Sequence, residues 1–317
     1  MAKEEKELKQ AGRIVFYEQI ASNKRKSFFL LAIIFIVLIL LGYVIGLTLG
    51  PDYFTIVMII AIIISISYIW IGYYNSDKIA LASVNAKPAN PSEYRQLYNL
   101  VEGLTLASGM PMPKIYIMEN QQINAFATGR DPQQSVICVT TGAIEKLNKQ
   151  ELEGVLAHEL SHIANYDIRF MTLAAVLVGM IAIISQIFLR SLRFSGGSGG
   201  SGGSSREGKG NAIFLLLGII LAILAPIAVQ LVQLAISRKR EFTADASAVK
   251  FTRYPPGLTN ALKKIKNESE SKTTEEKMQV SKAVAPLFIS DPFRKKLANL
   301  TSTHPPIEQR IAILERM

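Results

Sequence analysis

Four blocks of the chain carry no charged residue: Phe28 to Leu49, Phe54 to Tyr74, Met171 to Leu189 and Asn211 to Ser237. Each is long enough to cross about 30 Å of hydrocarbon as a helix. The first two, dominated by Ile, Leu and Val, predict a membrane hairpin turning at Gly50-Pro51-Asp52-Tyr53. The length of the first block and the turn after it set it apart from a cleaved signal peptide. The third contains Gln186, and the over-long fourth contains Pro226, Gln230 and Gln233. They are read as a third and fourth span, with buried helices of the polar domain as the alternative.

The polar blocks have shorter periods. Ser92 and Glu93 open an amphipathic run through Leu97, Leu100, Val101 and Leu104 that stops at Gly109, which predicts a helix with a C-terminal glycine. Lys114 to Met118 and Ser135 to Thr140 predict strands. Asn148 followed by Glu151 is a capping-box pattern opening another helix. After residue 238 the chain reads as helical, interrupted at Pro255-Pro256 and Pro305-Pro306. The predicted organisation is an N-terminal arm (1–27), a hairpin (28–74, spans 28–49 and 54–74), and a first catalytic part (75–170). A span (171–189), a Gly/Ser-rich loop (190–210), a further span (211–237) and a second catalytic part (238–317) follow.

Composition supports a membrane setting: 49% of the 317 residues are hydrophobic and only 19% charged. The net charge of +10 does not point to nucleic acid, because the basic residues flank apolar blocks, as in Lys24-Arg25-Lys26 and Arg238-Lys239-Arg240. Seven Lys and Arg precede the hairpin and none lies in its turn, so the N-terminus and residues 75–170 are expected in the cytoplasm. The single cysteine, Cys138, excludes an internal disulfide and a cysteine-based metal site.

Histidine is scarce, with three in the chain, yet two stand four apart in His158-Glu159-Leu160-Ser161-His162. On a helix that spacing puts both imidazoles on one face, where they can meet one metal ion. Glu159, one step round, is placed to take a proton from water that the metal activates. A catalytic zinc usually keeps three protein ligands and an open position. Glu241 and His304 are both candidates for the third. Glu241 and Asp245 are four apart on an expected helix, so one could bind metal while the other orients a histidine.

The hairpin, the H-E-x-x-H pattern running into an apolar block, Glu241-x-x-x-Asp245 after another, and Thr303-His304-Pro305-Pro306 occur in one order. Together they resemble the HtpX membrane metalloproteases, with CAAX prenyl proteases more distantly similar. The resemblance implies a mainly α membrane protein with four transmembrane helices. Its catalytic domain would be α+β and zincin-like (gluzincin), with a small sheet whose edge strand faces the active site. It implies one Zn2+ held by His158, His162 and Glu241, with Asp245 behind them. Asn124, Ala125, Phe126 and Ala127 match the edge strand to which extended substrate adds, a known recognition mode. His304 and Arg310 match residues that steady the oxyanion or hold that corner together.

The implied activity is zinc-dependent cleavage of misfolded or damaged membrane proteins at the cell membrane, linked to stress responses. Processing of prenylated proteins is the alternative. A zinc transporter is disfavoured, since no His, Asp or Glu lies within a span. Because a single ion needs His162 and Glu241 on one side, the third and fourth apolar blocks must both cross or both fail to cross. Two crossings put the loop with Arg190, Arg193, Arg206 and Lys209 outside despite its charge.

Overall fold

The computed structural model describes residues 2–175, 238–271, 287–289 and 305–317. Two long helices come first, α1 (Ala2–Leu49) and α2 (Pro51–Ser83), separated by Gly50 alone. The hairpin turn is therefore tighter than the four-residue turn expected, because Pro51 serves as a first helical residue, where its missing N–H costs nothing. Gly42 lets the helices close, since a Cβ there would collide with the Ala61 side chain. Both helices outrun the predicted spans. No Gly or Pro lies between Ser22 and Phe28 to end a helix, so the basic run and the apolar block are one rod. In α2 the helix passes Tyr74 with a kink at Asn75 (φ −123°, ψ 15°), whose side-chain amide donates to the Ile71 carbonyl at 3.3 Å.

Two stretches of this hairpin qualify as membrane spans, Ile20–Leu47 and Pro51–Ser83, and only 18% and 11% of their most apolar windows are buried in the protein. Phe28, Phe29, Ile63, Trp70 and Ile71 are all exposed. An apolar surface of that extent is suited to lipid rather than water. The blocks expected as the third and fourth spans lie outside the described residues, except that 171–175 continue a buried helix.

The remaining elements are β1 (Lys87–Pro88), α3 (Arg95–Ser108), β2 (Lys114–Met118), β3 (Ala125–Gly129), β4 (Ser135–Thr140), α4 (Thr141–Lys146) and α5 (Lys149–Ala164). After them come α6 (167–175), α7 (Arg238–Thr252), α8 (Pro255–Ser271) and α9 (Ile307–Leu314). The sheet order is β1-β2-β4-β3, with β2 and β4 parallel and the other pairs antiparallel. β4 is central and buried along its whole length, which is why its sequence, SVICVT, is nearly continuous apolar.

Alternation along the strands divides the core. Ile115, Ile117, Ala125, Ala127, Ile137 and Val139 pack with the cluster that includes Leu156 and Leu160 of α5 and Leu258 and Leu262 of α8. Phe126, Val136 and Cys138 pack on the other side with Leu30 and Ile34 of α1 and Ala80 and Leu81 of α2. The base of the hairpin is thus part of the domain core, and it fixes the domain against the membrane-facing helices. Gly154 lets α5 approach α8, because a Cβ there would strike the Leu258 backbone.

Helix α3 ends at Gly109 in the left-handed region (φ 71°), as its sequence predicts, but begins at Arg95 without a side-chain cap. Ser92 instead donates through its backbone N–H and hydroxyl to Asn90 Oδ1, closing a turn before the helix.

Candidate active site

Helix α5 opens with the expected capping box: Asn148 Oδ1 accepts from Glu151 N–H at 2.9 Å, and Glu151 Oε2 from Asn148 N–H at 2.8 Å. Lys264 adds an ion pair to Glu151 at 2.7 Å. The helix then runs through the core with His158, Glu159 and His162 all buried. Helix α7 brings Glu241 across from the far end of the sequence. The ligand-type atoms of His158, His162 and Glu241 lie within 4.8 Å of one another. His158 Nε2 is 3.2 Å from His162 Nε2, and Glu241 oxygens lie 3.6 and 3.8 Å from those two nitrogens. Four ligands at about 2.0–2.1 Å round a tetrahedral ion stand about 3.3 Å apart, so the spacing fits a zinc-sized ion.

Each imidazole has a carboxylate behind it. Asp245 Oδ1 is 2.9 Å from His158 Nδ1, and Asp167 Oδ2 is 3.0 Å from His162 Nδ1. Such partners orient the ring and turn Nε2 towards the ion. Asp245 was foreseen in that capacity from the resemblance; Asp167 was not. Its signal was present in the sequence, a carboxylate five positions after His162, but the intervening turn has Tyr166 at φ 59°, which helix spacing does not anticipate.

Arg310 is wholly buried and bidentate on Asp245, with Nε at 2.8 Å from Oδ2 and the terminal nitrogen Nη2 at 2.6 Å from Oδ1. Its Nη1 also donates to the Ile289 carbonyl at 3.4 Å and stands 3.4 Å from Glu241. The guanidinium therefore holds Asp245 behind His158 and also borders Glu241, a corner-holding position. Burial pushes the Asp245 carboxyl up, but Arg310 and His158 outweigh that and hold it below its ordinary value. Arg310→Ala would strand a buried carboxylate, so a loss of about 3–5 kcal/mol in stability is expected. Thermal melting in detergent checks this; an unchanged midpoint would show that Asp245 does not depend on Arg310.

Glu159 is 1% exposed, and its Oε1 has no hydrogen-bond partner among the described residues. Burial raises its pKa above the ordinary carboxylate value, with His158 and His162 and a hydrogen bond from the Ala127 backbone opposing. An unpartnered oxygen on a buried acid costs stability and marks a place where water or substrate belongs.

β3 is the edge strand of the sheet, as the resemblance implied, but its outer side is not open. Phe288 bridges Phe126 in antiparallel register, their rings 4.9 Å apart, and Ile289 N–H donates to the Ala125 carbonyl at 3.0 Å. Asn124, Ala125, Phe126 and Ala127 are all buried. Asn124 is tied to β4 through Thr140, and its Oδ1 accepts the Ala125 N–H at 3.1 Å. The remaining sequence candidate, His304, lies outside the described residues.

A sequence profile, Peptidase family M48, matches residues 91–317. The Protease HtpX homolog of Thermoanaerobacter pseudethanolicus is 44% identical over 312 residues, covering 96% of this chain and 99% of that protein. The Protease HtpX homolog of Streptococcus thermophilus is 41% identical over 307 residues, covering 96% and 100%. The crystal structure of S. mikatae Ste24p aligns with a TM-score of 0.46 at 20% identity, over 94% of this chain and 67% of that one. By the profile and by near full-length identity to these proteases, the chain belongs to peptidase family M48, among its HtpX-type members.

Proposed function

We propose that this metalloprotease is a zinc endopeptidase of the cell membrane, with a zincin-like catalytic domain that cleaves misfolded or damaged membrane proteins. The observation that carries the reading is the convergence of His158, His162 and Glu241, next to Glu159, whose Oε1 has no partner among the described residues. Two imidazoles and one carboxylate suit zinc better than magnesium or calcium. Zinc bound there supplies a Lewis acid that activates water and polarises a peptide carbonyl.

The chain's own residues do the rest. Glu159 Oε1 takes a proton from the attacking water and passes it to the leaving amine. Asp245 and Asp167 hold the two imidazoles in the tautomer that presents Nε2. Arg310 holds Asp245, and His304 donates to the oxyanion. An extended substrate pairs with β3 along Asn124 to Ala127, taking the place of the Ile289 bond to Ala125.

Lipid is the other partner. Lys24 stacks over Tyr166, Arg169 over Tyr166 and Tyr73, and Arg130 over Tyr74, forming a cationic and aromatic belt at the foot of the exposed hairpin. Such belts lie at the level of lipid headgroups. The positive charge beside the hairpin favours the cytoplasmic face for the catalytic domain. The meeting of His162 with Glu241 requires an even number of crossings between them, and two are proposed.

The test is metal titration of chelator-stripped protein. Zinc should restore cleavage of an unfolded protein, and the apparent affinity should depend on pH. Burial and Arg310 both depress the His158 pKa, but the hydrogen bonds that its ring donates to Asp245 and Glu241 prevail and raise it from 6.5 to about 9. The stability from that proton is full below 6.5 and is lost as pH rises through about 9. Zinc must displace the proton, so affinity should rise about tenfold per pH unit between about 6.5 and 8. Full activity of stripped protein sinks the metalloprotease reading, and a flat pH profile removes the proton from His158.

A further inference from the structure

The zinc reading leaves one buried polar side chain of the membrane hairpin unexplained. Asn23 sits on α1 one turn before the exposed Phe28, yet it is 2% exposed. Its amide nitrogen donates to Asp167 Oδ1 at 2.7 Å and to the Asn165 carbonyl at 3.0 Å. Asp167 is fully buried, and Arg240 Nε reaches the same Oδ1 at 2.9 Å. The other oxygen of Asp167 faces His162 Nδ1 at 3.0 Å.

We propose that Asn23 is a positioning residue of the metal site, which fixes Asp167 and through it His162, so that the first membrane helix belongs to the catalytic apparatus. A carboxylate can turn about its bond to Cβ. With Asn23 and Arg240 both on Oδ1, the torsion is set and Oδ2 is left aimed at the imidazole. Neither donor alone does this as well: Arg240 is one residue from Glu241 on α7, so its hold moves with that helix. Asn23 approaches from a third element and also ties the carbonyl of Asn165, the residue that ends α5. The bond pair therefore locks α1 to both ends of the α5–α6 turn, where Tyr166 is held at a positive φ. Because α1 continues without a break from Asn23 into the exposed apolar segment, its placement in the bilayer and the orientation of His162 are mechanically joined.

A purely structural role, docking α1 onto the domain, is the competing explanation, and Ser27 separates the two. Ser27 is also buried, one turn further along α1, and its hydroxyl donates to the Asn23 carbonyl at 2.9 Å. It belongs to the same packed stretch and touches neither Asp167 nor the ligands in any contact described. The inference rests on the zinc reading, so wild-type full-length protein in detergent is titrated first with zinc against a chelator of known affinity.

Loss of a residue that orients a ligand typically costs about 10–100-fold in metal affinity. Asn23→Ala should therefore weaken zinc binding at least about tenfold and lower kcat in zinc-limited assays, with KM for an unfolded protein unchanged. Ser27→Ala should bind zinc as the wild type does. Asn23→Asp keeps the size while replacing the donor with an acceptor facing Asp167; it should weaken zinc at least as much, and it serves if the alanine variant fails to fold. Wild-type zinc affinity in either Asn23 variant, or an equal loss in Ser27→Ala, overturns the proposal. Absence of zinc binding by the wild type would instead overturn the function it rests on.

Discussion

Glu159→Gln is expected to leave the fold and the zinc content intact while lowering turnover by about a hundred- to ten-thousand-fold. The substitution is close to isosteric, and an amide oxygen can still accept the hydrogen bond from the Ala127 backbone. What it cannot do is take a proton. Burial already holds the Glu159 pKa above the ordinary carboxylate value, against the pull of His158 and His162. Removing the ionisable group therefore relieves a desolvation cost and should leave the melting temperature equal or higher. Catalysis and stability move in opposite directions, a signature that a merely structural glutamate would not give. Zinc content, melting and turnover measured on one preparation make the test; near wild-type turnover would remove Glu159 from the reaction.

The part of the candidate site that the residues themselves made legible is local. His158, Glu159 and His162 are close in sequence, so helix geometry alone places them. Asn148 and Glu151 set the start of that helix within the same few residues. The strands Lys114–Met118 and Ser135–Thr140 were equally legible, since their apolar character follows from burial between two layers. Long-range contacts were harder. Asn23 and Asp167 are 144 positions apart, and nothing in a lone asparagine on a basic helix end announces a partner in the metal site. Residues 287–289 fall in a stretch expected to be helical, yet they cover the edge of β3 by a single bridge. β1 is two residues long and contains Pro88, too short for any alternation to show. The helix start expected at Ser92 failed for a different reason: Ser92 gives its own N–H and hydroxyl to Asn90 Oδ1, and the Tyr94 N–H goes to the Asn90 carbonyl, which closes a turn instead.

Glu241→Ala should purify with little zinc, whereas His304→Ala should purify zinc-loaded and slow. Chemistry alone permits either residue as the third ligand, since two histidines with a glutamate and three histidines both support hydrolysis. The geometry favours Glu241, whose oxygens stand 3.6 and 3.8 Å from the Nε2 atoms of His158 and His162. Its loss would also expose those nitrogens to the Arg310 guanidinium, now 3.4 Å from a Glu241 oxygen, and a positive neighbour without its counter-charge disfavours a cation. Arg310 would keep both its bonds to Asp245, so the fold should survive the change and the loss of metal can be read directly. An oxyanion donor acts only as charge develops, so His304→Ala should cost about a hundred- to thousand-fold in turnover, or about 3–4 kcal/mol, without moving zinc affinity. Metal content is compared at equal purity, and excess zinc is then added to both. Zinc should not rescue His304→Ala, which already holds it, and should rescue Glu241→Ala only weakly. If His304→Ala loses its zinc while Glu241→Ala retains it, the ligand set is three histidines, and Glu241 becomes a partner of Arg310 in the corner behind them.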